Sequence, residues 1–328
     1  MSHLTGKSIL VTGGTGSFGR AFIETLLSRH SPSRVVVISW VELKQYELRR
    51  QFGSDPRLRL FLGDIRDLSR LELALDGVEI VVHAAALKQV DTAELNPSEY
   101  IRTNIIGSEN VIRASLDAGV EKVIALSTDK ASSPVNLYGA TKLAADRLFV
   151  ASNHYVGNRP VRFSIVRYGN VLGSRGSVVP HFRELGRKGH PVPITDLRMT
   201  RFWITLQQAV DFVVDRLEDM QGGELFVPKL PSMRVADLAR ALAPDSPLEV
   251  VGIRPGEKLH EDMISAEDSR RAFEHPTYFE VLPSLAEWSH PVQSSGRPVA
   301  EGFCYRSDTN DQWLDEPGLN RLLGQESP

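Results

Sequence analysis

Short, almost wholly apolar runs alternate with amphipathic stretches through the first half of the chain. The apolar runs are Ser8–Thr12, Arg34–Ser39, Leu58–Leu62, Glu79–His83, Lys122–Ser127 and Val161–Arg167. Runs this short, without polar alternation, suit strands covered on both faces, as in parallel sheets. Between them, Phe18–Ser28, Glu42–Phe52, Ser69–Leu75, Pro97–Ala118 and Tyr138–Asn153 carry helical periodicity. Asn96 before Pro97 is a helix start and Gly119 a stop. Strand and helix taking turns in this way predict an α/β fold with a doubly wound parallel sheet.

Beyond Arg167 the alternation breaks. Gly169–Gly176 reads as loop, Pro191–Thr195 as a short strand and Thr205–Leu217 as a helix. Glu224–Val227, Val235–Leu242 and Leu248–Val251 read as strand, helix and strand, and the tail after Pro283 is weakly patterned. The expected organisation is a dinucleotide-binding domain from residues 1–168 plus about 197–230. A smaller C-terminal α/β substrate-binding lobe takes residues 169–196 and 231–328.

Composition narrows the partners. The chain has 328 residues and a formal net charge of -3. That balance gives no reason to expect nucleic-acid or membrane binding. No apolar run reaches the ~20 residues of a membrane span, and the start, Met1 to Lys7, is polar. One cysteine, Cys304, cannot form an intramolecular disulfide, and no Cys/His spacing suits zinc. A cytoplasmic protein without a metal is expected.

The first apolar run leads into Thr12-Gly13-Gly14-Thr15-Gly16-Ser17-Phe18-Gly19. A glycine-rich turn between strand and helix lets backbone approach a pyrophosphate, which the helix amides and dipole then hold. The sheet is therefore expected to be of Rossmann type, with Gly13, Thr15, Gly16, Ser17, Phe18 and Gly19 against a dinucleotide. The second strand ends at Ser39-Trp40-Val41-Glu42, near the expected adenosine ribose. A carboxylate there favours NAD and an arginine NADP; this stretch settles neither, and Ser39, Lys44 and Arg20 are the nearby polar groups. Asp64 and Ile65 follow the third strand, where the carboxylate suits the adenine amino group. The small residues Ala84, Ala85 and Ala86 end the fourth and leave room for the cofactor.

Tyr138 and Lys142 form a Tyr-x-x-x-Lys spacing on one helix face. An ammonium beside a phenol lowers its pKa, so the tyrosinate can take a proton from a substrate hydroxyl as hydride leaves. Thr128, Asp129 and Lys130 close the fifth strand at the crevice edge. Thr128 suits a hydrogen bond to the reacting oxygen. Asp129 and Lys130 add an acid and a base that plain oxidation or epimerisation does not need, which points to elimination.

In combination these motifs resemble the extended short-chain dehydrogenase/reductases. More narrowly, the chain resembles the inverting UDP-N-acetylglucosamine 4,6-dehydratases of the pseudaminic acid pathway. The likeness continues through Glu42–Glu47, Gly63–Asp67, His83–Lys88, Asn136–Lys142, Arg167–Asn170, Gly173–Pro180, Met199–Trp203 and Arg254–Glu261. Retaining sugar dehydratases carry Thr-Asp-Glu where this chain has Thr-Asp-Lys. The resemblance implies that Tyr138 takes the O4 proton while NADP accepts hydride from C4. It also implies that Lys142 orients the cofactor ribose and lowers the Tyr138 pKa. Lys130 removes the C5 proton and Asp129 protonates the leaving C6 hydroxyl. Reprotonation of C5 from the opposite face inverts that centre. Asn170, the backbone near Val178, Arg254 and Glu257 are the implied nucleotide contacts, with Lys88 and Arg201 as further candidates. A homo-oligomer and a product used for pseudaminic or related deoxyamino sugars are also implied.

One departure bears on the cofactor. Members of this family usually carry Ser-Arg-Asp-Glu after the second strand, the arginine facing the 2′-phosphate of NADP. Trp40 stands in its place, so NADP is expected to bind less well and NAD becomes an option. Two other classes share the scaffold. A UDP-sugar 4-epimerase would use Thr128, Tyr138 and Lys142 without Asp129 and Lys130. A non-catalytic dinucleotide-binding sensor would not require the Tyr/Lys pair.

Overall fold

The computed structural model describes residues 2–174, 177–284 and 292–324. Six strands open the chain: β1 (Ser8–Thr12), β2 (Arg34–Ser39), β3 (Leu58–Leu62), β4 (Ile80–His83), β5 (Lys122–Thr128) and β6 (Arg162–Tyr168). They lie in the order β3-β2-β1-β4-β5-β6, and every adjacent pair is parallel. The order reverses between β1 and β4, and such a switch opens a crevice at the carboxyl ends of the strands. Residues of β1, β2, β4, β5 and β6 join the flanking helices in one large apolar core.

The helices of this half are α1 (Ser17–Arg29), α2 (Glu42–Phe52), α3 (Leu68–Leu75), α4 (Val90–Leu95), α5 (Pro97–Tyr100), α6 (Gly107–Ala118) and α7 (Leu137–Ser152). The single helix expected over 97–118 is interrupted by a π-helical turn, Ile101–Ile106. The cause is Asn104, buried inside that turn. Its amide oxygen accepts from Leu87 N at 2.9 Å, and its nitrogen donates to Leu87 O at 2.9 Å and Thr141 Oγ1 at 3.0 Å. A wide turn aims a polar side chain inward at this point, which ties the approach to Lys88 to the helix carrying Tyr138.

The second half contributes β7 (Asn170–Val171), α8 (Val178–Arg187), β8 (Val192–Ile194), β9 (Thr200–Ile204), α9 (Leu206–Asp219) and β10 (Leu225–Pro228). Then come β11 (Ser232–Arg234), α10 (Val235–Leu242), β12 (Leu248–Val250), β13 (Asp262–Ile264), β14 (Ala272–Glu274), β15 (Tyr278–Val281), β16 (Arg297–Pro298), β17 (Tyr305–Arg306) and α11 (Glu316–Gly324). The chain over 169–176 is not simply loop, since Asn170–Val171 pairs with β9; Arg175 and Gly176 lie outside the described residues. α8 and α11 had no counterpart in the expected elements.

β10 joins β6 in parallel, and β15, β14 and β16 extend the main sheet antiparallel beyond it. The expected boundary placed all of 231–328 in the second lobe, whereas these three strands belong to the first sheet. They are only two to four residues long, too short to show a period. The lobe itself is built on two smaller apolar clusters around Phe182, Ile194, Met199 and Ala239, and around Trp203, Leu238 and Leu319.

Candidate active site

The glycine-rich turn has the shape a dinucleotide requires. Gly13 has φ +66°, and a Cβ on it would lie 2.8 Å from the Ala85 backbone. The turn is thus pressed against the end of β4, whose Ala84 and Ala85 amides donate to Thr12 Oγ1 at 3.1 Å each. Gly16 sits at the N-cap of α1 with no side chain capping the first amides, as a diphosphate site needs. Thr15 and Ser39 share a buried hydrogen bond of 2.9 Å, joining the turn to the end of β2. Phe18 stacks on Phe22 and Tyr168. These residues fit a nicotinamide dinucleotide.

The adenosine end is less settled. Trp40 is 68% exposed. Arg20, the nearest guanidinium the sequence offers, is held by Thr15 O at 3.2 Å and Glu47 at 2.8 Å. Lys44 is exposed on α2. Asp64 engages Arg66 through both oxygens, at 2.9 and 2.6 Å. Ile65 is buried beneath it, while Ala86 is exposed.

The catalytic candidates meet where β5 ends. Thr128 Oγ1 donates to Asp129 Oδ1 at 2.9 Å, and Thr128 lies close enough to Tyr138 to act on its phenol. Lys130 Nζ lies 3.1 Å from Asp129 Oδ1. Asn136 caps α7 by accepting from Gly139 N at 2.7 Å, while its amide nitrogen donates to Gly256 O at 2.7 Å. Gly139 lets the helix press onto the turn bearing the triplet, because a Cβ there would collide with the Lys130 carbonyl. A long-range contact of this kind brings Tyr138 beside Lys130.

Charge in the pocket follows from burial and pairing. Burial pushes Tyr138 up to about 12, although the Lys130 ammonium and the Thr128 hydroxyl pull it down. Burial also opposes charge on Asp129 and Lys130, but each is held charged by the other. Asp129 therefore stays below the usual carboxylate range and Lys130 above the usual lysine range. Lys142 differs from expectation. It donates to Leu126 O at 2.7 Å, and the cation acting on Tyr138 is Lys130. Burial lowers the Lys142 pKa, with Asp146 opposing.

Of the expected substrate contacts, Lys88 and Arg201 interact electrostatically with Lys130. Asn170 is half-buried and donates to Phe202 O at 3.4 Å. Val178 opens α8, presenting backbone amides. Arg254 is exposed, and its amide donates to Glu257 at 3.4 Å within a tight turn. Lys88 is open to solvent on one side and crowded by protein on the other. That crowding, then the charge of Lys130, lowers its pKa. Arg201 is buried and donates to the carbonyls of Thr200, Leu259 and Lys258 at 2.7, 3.2 and 3.0 Å, so most of its donors serve the fold.

Two residues were given no role by the sequence. Asn104 looked like one polar residue in a long helix. Glu261 closes the Arg254–Glu261 motif, and its Oε1 lies 3.3 Å from Lys130 Nζ. The one sequence signal for Glu261 was its place at the end of that motif.

A glycine turn at a topological switch, a buried Tyr/Lys pair and an added Asp/Lys pair define an extended short-chain dehydrogenase/reductase equipped for elimination. A family model described as polysaccharide biosynthesis protein matches residues 9–283. The UDP-N-acetylglucosamine 4,6-dehydratase (inverting) of Campylobacter jejuni strain 81-176 is 52% identical over 326 residues, covering 97% of each chain. The solved structure of Pen from Bacillus thuringiensis superposes with a TM-score of 0.91 at 35% identity, covering 99% of each chain. The dTDP-glucose 4,6-dehydratase DesIV from Streptomyces venezuelae, solved with NAD and TYD bound, gives a TM-score of 0.70 at 26% identity, over 77% of this chain and 86% of that one. The chain belongs to the inverting UDP-N-acetylglucosamine 4,6-dehydratases within the polysaccharide biosynthesis protein family. No helix among the described residues is long and apolar enough to cross a membrane.

Proposed function

We propose that this protein converts UDP-N-acetylglucosamine to UDP-2-acetamido-2,6-dideoxy-β-L-arabino-hex-4-ulose, with inversion at C5. The observation that carries this reading is the Asp129–Lys130 pair at 3.1 Å, with Thr128 bonded to Asp129 and the Lys130 charge acting on Tyr138. A 4-epimerase needs only the hydroxyl chemistry of Thr128 and Tyr138. A bound nicotinamide dinucleotide supplies the acceptance and return of hydride.

Tyr138 takes the O4 proton, assisted by the Thr128 hydroxyl and the Lys130 charge. The resulting 4-ketone acidifies the C5 proton. A proton passed from Lys130 to Asp129 makes a base and an acid together. Lys130 then takes the C5 proton, the C5=C6 bond forms, and Asp129 protonates the departing C6 hydroxyl as water. Return to C6 of the hydride removed from C4, which a bound dinucleotide would supply, saturates that carbon, and C5 is reprotonated from the other face. Asn170, the amides at Val178, Arg254, Glu257 and Lys88 hold the nucleotide and sugar, and Arg201 supports them from behind. The product feeds pseudaminic or related deoxyamino sugars, and the enzyme works as a homo-oligomer.

In heavy water, without added cofactor, proton NMR is expected to show a new C6 methyl signal, deuterium at C5 and the couplings of the L-arabino isomer. Plain C4 epimerisation, or silence after addition of both NADP and NAD, would overturn the assignment of Asp129 and Lys130.

The cofactor is NADP, bound weakly because Trp40 offers no charge to a 2′-phosphate and Arg20 is tied to Glu47; NAD is accepted as well. Trp40→Arg is expected to tighten NADP about tenfold, the scale of a charge-assisted hydrogen bond, while leaving the fold intact. Titration of both dinucleotides by intrinsic fluorescence checks this, and an unchanged NADP affinity would remove Trp40 as the determinant.

A further inference from the structure

The elimination pair has a third member that comes from much later in the sequence. Glu261 lies immediately before β13, and its side chain is 2% exposed. Its Oε1 is 3.3 Å from Lys130 Nζ and 3.7 Å from Arg201 Nε. Ser307 pins the backbone on both sides: Glu261 N donates to Ser307 Oγ at 2.9 Å and Ser307 N donates to Glu261 O at 2.8 Å. Lys258 and Asp262 grip the same turn. Lys258 Nζ donates to Ser132 O at 2.6 Å, and Ser132 Oγ donates to Asp262 Oδ2 at 3.0 Å. The chain over 258–262 thus clasps the turn over 129–132.

A buried carboxylate with a structural duty normally satisfies both oxygens. Here Glu261 Oε2 and Asp129 Oδ2 are both buried without a hydrogen-bond partner. An ammonium has three N–H donors. On Lys130, one reaches Asp129 at 3.1 Å, and Glu261 pairs with the same ammonium as a second carboxylate at 3.3 Å, which leaves donors for the substrate. Asp129 is the chain neighbour of Lys130 and cannot by itself stop Nζ from pivoting. A second anchor on a different element can. The other charged or titratable groups acting here are Tyr138 on α7, Arg201 on β9 and Lys88 after β4, and none of them offers a further anion to hold the lysine.

We infer that Glu261 is a positioning residue for the elimination: it fixes Lys130 Nζ between two carboxylates and so sets the direction from which Lys130 meets C5. This role rests on the dehydratase reading above. A lysine anchored on one side only can reach C5 along more than one line, so both the rate and the face selection at C5 should suffer. Substrate grip, which lies on other residues, should not.

The test compares Glu261→Ala and Glu261→Gln with the unaltered protein, following early product by proton NMR. Glu261→Ala is expected to lower kcat about tenfold or more, to change KM by less than about twofold, and to give the C5-retained epimer alongside the inverted one. Glu261→Gln keeps shape and an acceptor, so it should fold and recover part of both rate and C5 selectivity. A single inverted product at the unaltered rate from Glu261→Ala would overturn the role. So would a loss expressed in KM alone. If Glu261→Ala fails to fold, Glu261→Gln decides: a folded variant with lowered kcat, near-normal KM and mixed C5 epimers supports the role, and full rate with a single inverted epimer overturns it. Absence of a 4-keto product from the unaltered protein would overturn the dehydratase reading itself, and this role with it.

Discussion

Lys130→Met is expected to reduce dehydration at least about a thousandfold, within the range general acid–base groups supply. The side chain is close in length, so loss of the amine is the main chemical change. Without it Asp129 loses the ammonium at 3.1 Å that would protonate it, and neither the base at C5 nor the protonated acid at C6 can form. Tyr138 would also lose the cation that lowers its pKa, which slows C4 oxidation as a secondary effect. Absorbance of the reduced dinucleotide in a single turnover reads C4 oxidation, while C5 exchange and the C6 methyl by proton NMR in heavy water read the elimination that follows it. A variant that still builds the methyl group at more than a tenth of the normal rate would show that Lys130 is not the base.

The second large effect concerns stability. Asp146 lies on the buried face of α7. Its Oδ2 accepts from Ser127 Oγ at 2.7 Å and from Arg167 Nη2 at 3.1 Å. Arg167 is 3% exposed, and its Nη1 donates to Met263 O at 2.9 Å. Asp146→Ala would leave this guanidinium buried without its anion, which costs roughly 3–5 kcal/mol. Urea unfolding is expected to show that loss as a lower midpoint with little change in slope. A loss below about 1 kcal/mol would mean that water or local movement relieves Arg167. The same pair links β5, β6, α7 and β13, so the variant also bears on how the triplet is held.

Much of the first half could be read from the sequence because its signals are local. The apolar run Arg34–Ser39 became a strand with the expected bounds, and Lys122–Ser127 became one that runs a residue further, to Thr128. The glycine turn and the Tyr-x-x-x-Lys helix fell in the strand–turn–helix settings that give them meaning. What the sequence did not carry is nonlocal. Nothing around Asn104 announces that its amide will bind Leu87 and Thr141, and so nothing announces the π turn. The pairing of Lys130 with Glu261 joins residues far apart in the sequence. The preference of Lys142 for Leu126 O over Tyr138 depends on side-chain packing. Strands β14 to β16 depend on an exposed sheet edge, which no residue within them reveals.

The clasp of 258–262 over 129–132 also bears on how enzymes of this design diverge. The residues proposed for oxidation at C4, from the glycine turn to Tyr138, all lie in the first half. The proposed anchor of Lys130 is a carboxylate that arrives from late in the chain. Swapping later segments between relatives is therefore expected to alter the elimination more than the redox step. A lineage could move between epimerising and dehydrating a sugar by recombination behind the catalytic helix, with the tyrosine untouched.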